Sequence, residues 1–567
     1  MKEAVAEEPI TPTVKNIQIL IVSLIDSISR VQIFKGKWSL IRTKLTALET
    51  HILEFSSAAG DVNPLSNPLS VDLFHSLSAT CSAAVSLSDL CHSLTPPSGK
   101  LKTQNDVDSI SAKLDNHIND LEVLNKSRVF AECAAVSFQA TVSNVSSSSK
   151  RESARAESRN LMTRLQIGSA ESKISALDSL LGLLQEDDKN VLIAVAQGIV
   201  PVLVRLLDSS SSEIKERTVA GIAKISTVDS SKHVLLAEGL VLLNHLLRVL
   251  ESGSIFGKEK SCIALQALSH LKENARAIGS RGGITSLLEI CQSGTPSSQA
   301  MSAGVLRNLA VFPEVKEHFM EEDAVVTLLA LSNSGTALAQ ENSIGCLCNL
   351  ISGDDDLKLF LAREGGIECV KNLWDSAPTP RNLEVVVQMV SILASSPLIS
   401  EVLIANGFLN HVVGVLNCGV LGVRTAAANA LYDLAYSIKT QKELGKMGCI
   451  SLLSRMLDGK AIEEKEAAAK TLSKLMSNGG NRRIFRKEEK GITSAVKLLD
   501  PLVLNLDKKY PISILTSIVH SKKSRKQMVA TGACAYLQKL VEMNVDGAKK
   551  LYDSLGHSKL WGVFARP

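Results

Sequence analysis

Aromatic residues are scarce in this chain: Phe, Trp and Tyr make up 4% of its 567 residues, so any interior must be assembled from Leu, Ile, Val and Ala. Charge of one sign is missing too. Against 62 Lys and Arg stand 58 Asp and Glu, a formal +4, which gives the whole-molecule field little pull on a polyanion. No specific nucleic-acid partner is expected. Nor does any uninterrupted apolar run reach the ~18 residues of a membrane span. The richest candidate, Asn16 to Ile28, holds Asp26 and lies beside Arg30, and reads as a buried helix. No transmembrane segment is expected. The first residues carry Glu3, Glu7 and Glu8 where a secretory leader would place basic and then apolar residues. The opening Met1-Lys2-Glu3 lacks the glycine needed for acylation.

The 11 cysteines are scattered singly apart from Cys346 and Cys348, and an odd number without ligand spacing gives neither a zinc set nor a disulfide framework. Thiols such as Cys262, Cys346 and Cys369 are expected reduced, inside helices, in the cytoplasm or nucleus. A peripheral position at a membrane is the further option. Phosphate-loop, nucleophile-elbow and His-Glu-x-x-His patterns are absent from the sequence. The expectation is a non-enzymatic protein with no catalytic residue, no cofactor and no metal.

What the sequence does contain is a repeat. From about Ser172 onward one helical pattern recurs every ~40 to 44 residues, with Gly198, Gly239, Gly283, Gly366, Gly407, Gly448, Gly491 and Gly532 at matching places and Asp323 standing where one glycine is missing. An apolar stretch follows each glycine, then a polar turn, then a longer apolar run such as Ala303 to Ala310. Glycine inside a helix costs about 1 kcal/mol, so its recurrence marks helix junctions. Ala427, Ala428 and Ala430, and again Ala467, Ala468 and Ala469, put small side chains where neighbouring units pack closely. One unit cannot bury its own apolar face, so the units must stack.

Glu238-Gly239-Leu240-Val241, Arg281-Gly282-Gly283-Ile284 and the run Ala303 to Ala310 resemble the armadillo repeat, a three-helix unit whose third helix ends in an Asn-Leu-Ala-like triplet. The resemblance implies an all-α fold, an armadillo-repeat right-handed superhelical solenoid of about nine repeats over residues 172–567, in which the last repeat is incomplete or irregular. Ahead of it, residues 13–145 read as an N-terminal helical bundle of four or five helices. These are a long apolar-periodic segment from Thr13 to Ala58, a stretch from Leu69 to Leu94, an amphipathic helix from Asp106 to Leu124, and a stretch from Val129 to Val142. Residues 1–12 are expected to be a flexible N-terminus, and residues 146–171 a linker and connecting helix, with the serines Ser146 to Ser149 as a hinge. In order and size this arrangement is similar to plant armadillo proteins related to the U-box family, without a U-box.

In the resembled family a groove lined by the third helices binds an extended protein segment, and asparagines in one column hold its backbone. The matching column here is Lys224, His270, Asn308, Asn349, Ser391, Asp433, Lys474 and Ser517. Asn308 and Asn349 are the strongest candidates, because an amide both donates and accepts; hydrogen bonding between repeats is their alternative use. His270 reads as a surface histidine, and Asp433 and Lys474 as a pair able to bridge adjacent repeats. Nuclear-import adaptors of the family place tryptophans one turn before the asparagines. Gly304, Gly345, Asn429 and Lys470 occupy those places here, which argues against a receptor for basic nuclear signals. The insertion Glu251 to Lys260 is expected to form a longer loop at the groove edge. Two basic clusters, Arg482 to Lys490 and Lys522 to Lys526, read as solvated surface or as contacts for an acidic partner or membrane. The expected function is a protein-binding scaffold or adaptor, with a second contact or self-association through the N-terminal bundle. A regulatory or substrate-recruiting subunit of a ubiquitin-ligase complex, or a cytoskeletal or membrane-proximal scaffold, is the alternative.

Overall fold

A computed structural model describes residues 14–58, 68–93, 100–127, 147–376 and 378–556. The turn region 59–67, the stretch Val129 to Val142 and the C-terminal Trp561 to Phe564 lie outside these. The described residues are all-α, and the chain divides into two units, Met1–Leu268 and Ser269–Pro567.

The first unit opens with four long helices: α1 (Val14–Ser29), α2 (Lys35–Ala58), α3 (Pro68–Leu90) and α4 (Lys100–Ser127). Their apolar faces, with Ile21 from α1, Trp38 and Leu45 from α2, Phe74 from α3 and Leu114 from α4, close into one core. Phe55 and Phe74 meet edge to face at 5.4 Å. The segment from Thr13 to Ala58 is therefore two helices. It breaks at Phe34, a left-handed residue with φ 57, where the Gln32 amide donates to the Cys91 carbonyl at 2.9 Å and ties the bend to the end of α3. The expected serine hinge is also revised: Ser147–Ile167 forms one helix that takes in Ser147 to Ser149.

Beyond a further helix, Ala170–Glu186, the described chain resolves into three-helix repeats, two completing the first unit and seven making up the second. A representative one is Ile438–Lys446, Cys449–Met456 and Ile462–Leu475. The junction between first and second helix is left-handed at Gly198, Gly407, Gly448 and Gly532, and Asp323 adopts the same conformation with φ 49. Two of the expected glycines are off by one, since the left-handed residues are Gly282 and Gly365, not Gly283 and Gly366. Gly491 is not left-handed at all and lies inside Glu489–Lys497. At Gly365 and Gly366 two demands fall on consecutive positions, and at Gly491 only the second is present. One is positive φ, and the other is close packing: a Cβ on Gly366 would sit 2.7 Å from the Leu361 carbonyl, and one on Gly491 would press on Ser454 and Phe485.

Third helices start at side-chain caps such as Thr295, Thr336 and Thr379, whose hydroxyls accept from the amide three residues on. They then pack third helix on third helix through small residues. Ala427, Ala428, Ala468 and Ala469 are fully buried, and the Thr471 hydroxyl donates to the Ala428 carbonyl at 2.6 Å. The insertion Glu251 to Lys260 makes no long loop. Its residues extend the helices Gly239–Ser252 and Ile255–Leu268, leaving only Gly253 and Ser254 between them. The final repeat has all three helices, ending with Ala548–Gly556. No single described helix is long and apolar enough to cross a membrane.

Candidate protein-binding face

The column residues do not stand free; most tie one repeat to the next. Lys224, in the first unit, donates to Asp188 at 2.9 Å. In the second unit His270 is exposed in the turn before Lys272–Ser280, and the Asn308 amide nitrogen lies 2.9 Å from the Ser269 hydroxyl and 3.3 Å from the His270 ring. The Asn349 amide donates to the Arg307 carbonyl of the preceding repeat at 3.0 Å. The Ser391 hydroxyl donates to the Asp433 carboxylate of the following repeat at 2.8 Å, whereas the Ser517 hydroxyl donates within its own helix, to the Ile514 carbonyl.

Asp433 and Lys474 do not form the expected bridge. The Lys474 ammonium instead donates to the Tyr432 carbonyl at 2.6 Å and sits over the Tyr432 ring at 4.2 Å, with Lys470 over the same ring at 4.3 Å. A backbone acceptor and an aromatic face together satisfy an ammonium without an anion. Burial pushes the Asp433 carboxyl above its usual range, while the Ser391 bond and the nearby lysines pull it back. Burial also lowers the Lys474 ammonium, against the pull of Asp433.

Residues beside the column matter as much as those in it. Gly345, one turn before Asn349, is where Arg307 lies: a Cβ there would overlap the guanidinium, which also faces Glu341 at 3.6 Å. The place an aromatic slot would occupy is thus filled from the protein's own side. Further along, a depression of about 470 Å³ is lined by Asn349, Glu384, Gln388, Ser391, Asn429 and Glu463, with Ile392 and Leu421 as apolar lining. It spans the third helices Ala337–Ile351, Pro380–Ala394 and Leu421–Leu434 and reaches the start of Ile462–Leu475. The Glu384 carboxylate lies over Gly422, where any Cβ would displace it. Among the described residues no ion pair reaches Glu384 or Glu463, and no lining residue is cationic. Arg307, Glu384 and Glu463 escaped the sequence reading because their register differs from the column. The signal for Arg307 and Glu384 was Gly345 and Gly422, glycines inside a helix that only close approach explains.

No three described His, Cys, Asp or Glu side chains are grouped to hold a metal. In the bundle, Ser27, His92 and Asp89 come together with Ser27 Oγ 3.0 Å from Asp89 and 3.4 Å from His92 Nε2. That same Nε2 lies 3.0 Å from the Ser27 carbonyl oxygen, which makes it a donor and bars it from acting as base to the hydroxyl. Burial raises the thiols of Cys291, Cys348 and Cys449 to about 12, so they stay protonated and unreactive.

Two family models match parts of the chain: a domain of unknown function (DUF7032) over residues 15–129 and the armadillo/beta-catenin-like repeat over residues 187–227. No match is found among curated proteins. Among solved structures, an engineered protein is similar with TM-score 0.58 and 22% identity, over 71% of this chain and 98% of its own. A structure from work on a phosphorylation switch controlling the interaction between cadherin and beta-catenin matches with TM-score 0.57 and 16% identity, over 78% of this chain and 92% of its own. The chain therefore has an armadillo-repeat-like fold, an all-α helical solenoid preceded by an N-terminal helical region.

Proposed function

We propose that this protein is a non-catalytic interaction scaffold that holds an extended segment of a partner protein on its third-helix face, anchored at the depression between Asn349 and Glu463. The observation that carries the reading is that depression, which presents amides and two carboxylates free of ion pairs beside apolar lining. Amides of Asn349, Gln388 and Asn429 suit a peptide backbone, which offers donors and acceptors in alternation. Glu384 and Glu463 suit a Lys or Arg side chain of the same segment. Asn308 contributes from the neighbouring repeat, and Asp433 and Lys474 continue the face beyond. The fold resemblance to a protein studied for its cadherin interaction supports the same reading.

The narrower roles differ only in which partner occupies the face: a ubiquitin-ligase subunit recruits a catalytic subunit, and a cytoskeletal or membrane-proximal scaffold recruits filaments or bilayer proteins. A plant armadillo protein lacking the U-box fits the order of the parts. The test is selection of extended peptides on the intact chain, followed by anisotropy titration of the selected sequences. Basic segments are expected, and Glu384→Gln with Glu463→Gln should weaken them about tenfold, or ~1.4 kcal/mol. Asn308→Ala with Asn349→Ala should weaken them regardless of peptide charge. Selected peptides whose affinity ignores all four substitutions would remove the reading.

A further inference from the structure

The first helices of the second unit carry a pattern that partner binding on the third helices does not use. From the second of these helices, Lys316–Glu321, onward, each buries one apolar anchor completely: Phe319, Leu361, Leu403, Leu444, Phe485 and Met528 in successive repeats, whereas the first, Lys272–Ser280, buries Ile278 and has Arg276 two residues before it. Two residues before each anchor stand Glu317, Leu359, Glu401, Lys442, Arg483 and Lys526, and all but Leu359 are exposed. Five residues before it the series runs Glu314, Asp356, Leu398, Lys439, Gly480 and Lys523. Both series change sign at the same step, between Pro397–Ala405 and Ile438–Lys446.

At that step exposed apolar residues stand beside the charged ones, with Leu398 at 68% exposure, Val402 at 45% and Ile438 at 70%. Some of the charge is already used: Glu314 meets Lys272 and Arg276, Lys523 meets Glu489 at 2.8 Å, and Glu401 accepts from Tyr436. Among the described residues no ion pair reaches Glu317, Asp356, Lys439, Lys442, Arg483 or Lys526.

A ridge that is acidic at one end, basic at the other and apolar between is complementary to itself after a two-fold rotation about its middle. The acidic repeats of one copy then face the basic repeats of the other, and the apolar centres meet. That is the anatomy of an isologous interface with an apolar centre and a charged rim. A uniformly anionic surface would be repelled by the Glu317 and Asp356 end, and an acidic peptide would leave that end unused. Helices packed about 10 Å apart carry the ridge over a length that suits an interface of ordinary size, about 800 Å² per partner. We propose that this first-helix ridge is a self-association surface joining two copies of the chain in antiparallel fashion. The proposal is independent of what occupies the third-helix face.

The test is light scattering and sedimentation equilibrium of the full chain. A dimer is expected at low ionic strength, weakened about tenfold at high salt as the charge pairs are screened. One variant, Lys439→Glu/Lys442→Glu/Arg483→Glu/Lys526→Glu, reverses every unpaired charge of the basic end; a second, Glu317→Lys/Asp356→Lys/Glu401→Lys, reverses the acidic end outside the Glu314 pairs. Each alone should be monomeric, and an equimolar mixture should restore the dimer, which no folding defect could do. Leu398→Asp with Ile438→Asp should abolish it with circular dichroism unchanged. A wild-type chain monomeric at low salt, a dimer indifferent to these changes, or variants that stay monomeric when mixed would overturn the proposal. So would a chain that stays monomeric while its basic end binds anionic vesicles.

Discussion

The four-helix bundle and the repeat array solve the same burial problem in opposite ways. The bundle uses helices of 16 to 28 residues around one centre, and it needs bulk there, with Trp38, Phe55 and Phe74 almost wholly enclosed. In the array the described α-helices run from 6 to 15 residues, and the core is a line mostly of Leu, Ile, Val and Ala, with single anchors such as Phe319, Phe408 and Phe485, shared by neighbours. A centre fails as a whole, whereas a line fails locally.

The largest expected effect follows from that difference. Trp38→Ala should cost the bundle about 3–5 kcal/mol and raise hydrogen exchange together throughout α1 to α4, leaving the array protected. Leu431→Ala, at an equally buried array position, should cost about 2–5 kcal/mol. Its loss of protection should be greatest in its own repeat and fade with each neighbour. Uniform loss across the second unit would break the contrast. Gly365→Ala should destabilise by about 1–2 kcal/mol in thermal melts, because φ is 91 there and an L side chain resists that region. Asp323→Gly should be neutral or slightly stabilising, since the strained position already exists.

The smallest effects are electrostatic. Burial raises Asp120 in the bundle to about 6 from 3.8, with Lys173 opposing. A carboxyl raised on folding contributes stability that is present below its unfolded value and lost as pH rises through its folded one. Asp120→Asn should therefore stabilise at neutral pH by up to about 1 kcal/mol, a partly exposed group being screened. The gain should vanish as pH falls from 6 to 3.8. Asp433→Asn should shift the array's melting in the same direction and by less, because the Ser391 bond and the lysines offset its burial. A difference in melting between wild type and variant that stays constant with pH in both cases would show that neither carboxyl senses folding.

The repeat was legible because its demands are local: a left-handed junction selects glycine, and tight third-helix packing selects alanine. Even Asp323 was readable as a substitute from spacing alone. The one-residue error at Gly282 and Gly365 arose because spacing cannot separate positive φ from steric closeness when two glycines adjoin. The face was legible only as a column. That Asn349 bonds to the Arg307 carbonyl, and that Lys474 prefers the Tyr432 ring to Asp433, depends on where the next repeat places its backbone.

Period, repeat order and aliphatic interior are properties of residues within a turn or two of each other, and the sequence by itself determined them. Which charges meet, which stay unpaired and which form a continuous ridge is settled between residues about 40 apart in the chain, as with Arg424 and Glu464 at 2.7 Å. Only the tertiary structure decided those, because stacking brings such distant side chains within reach of one another and periodicity carries no record of their orientation.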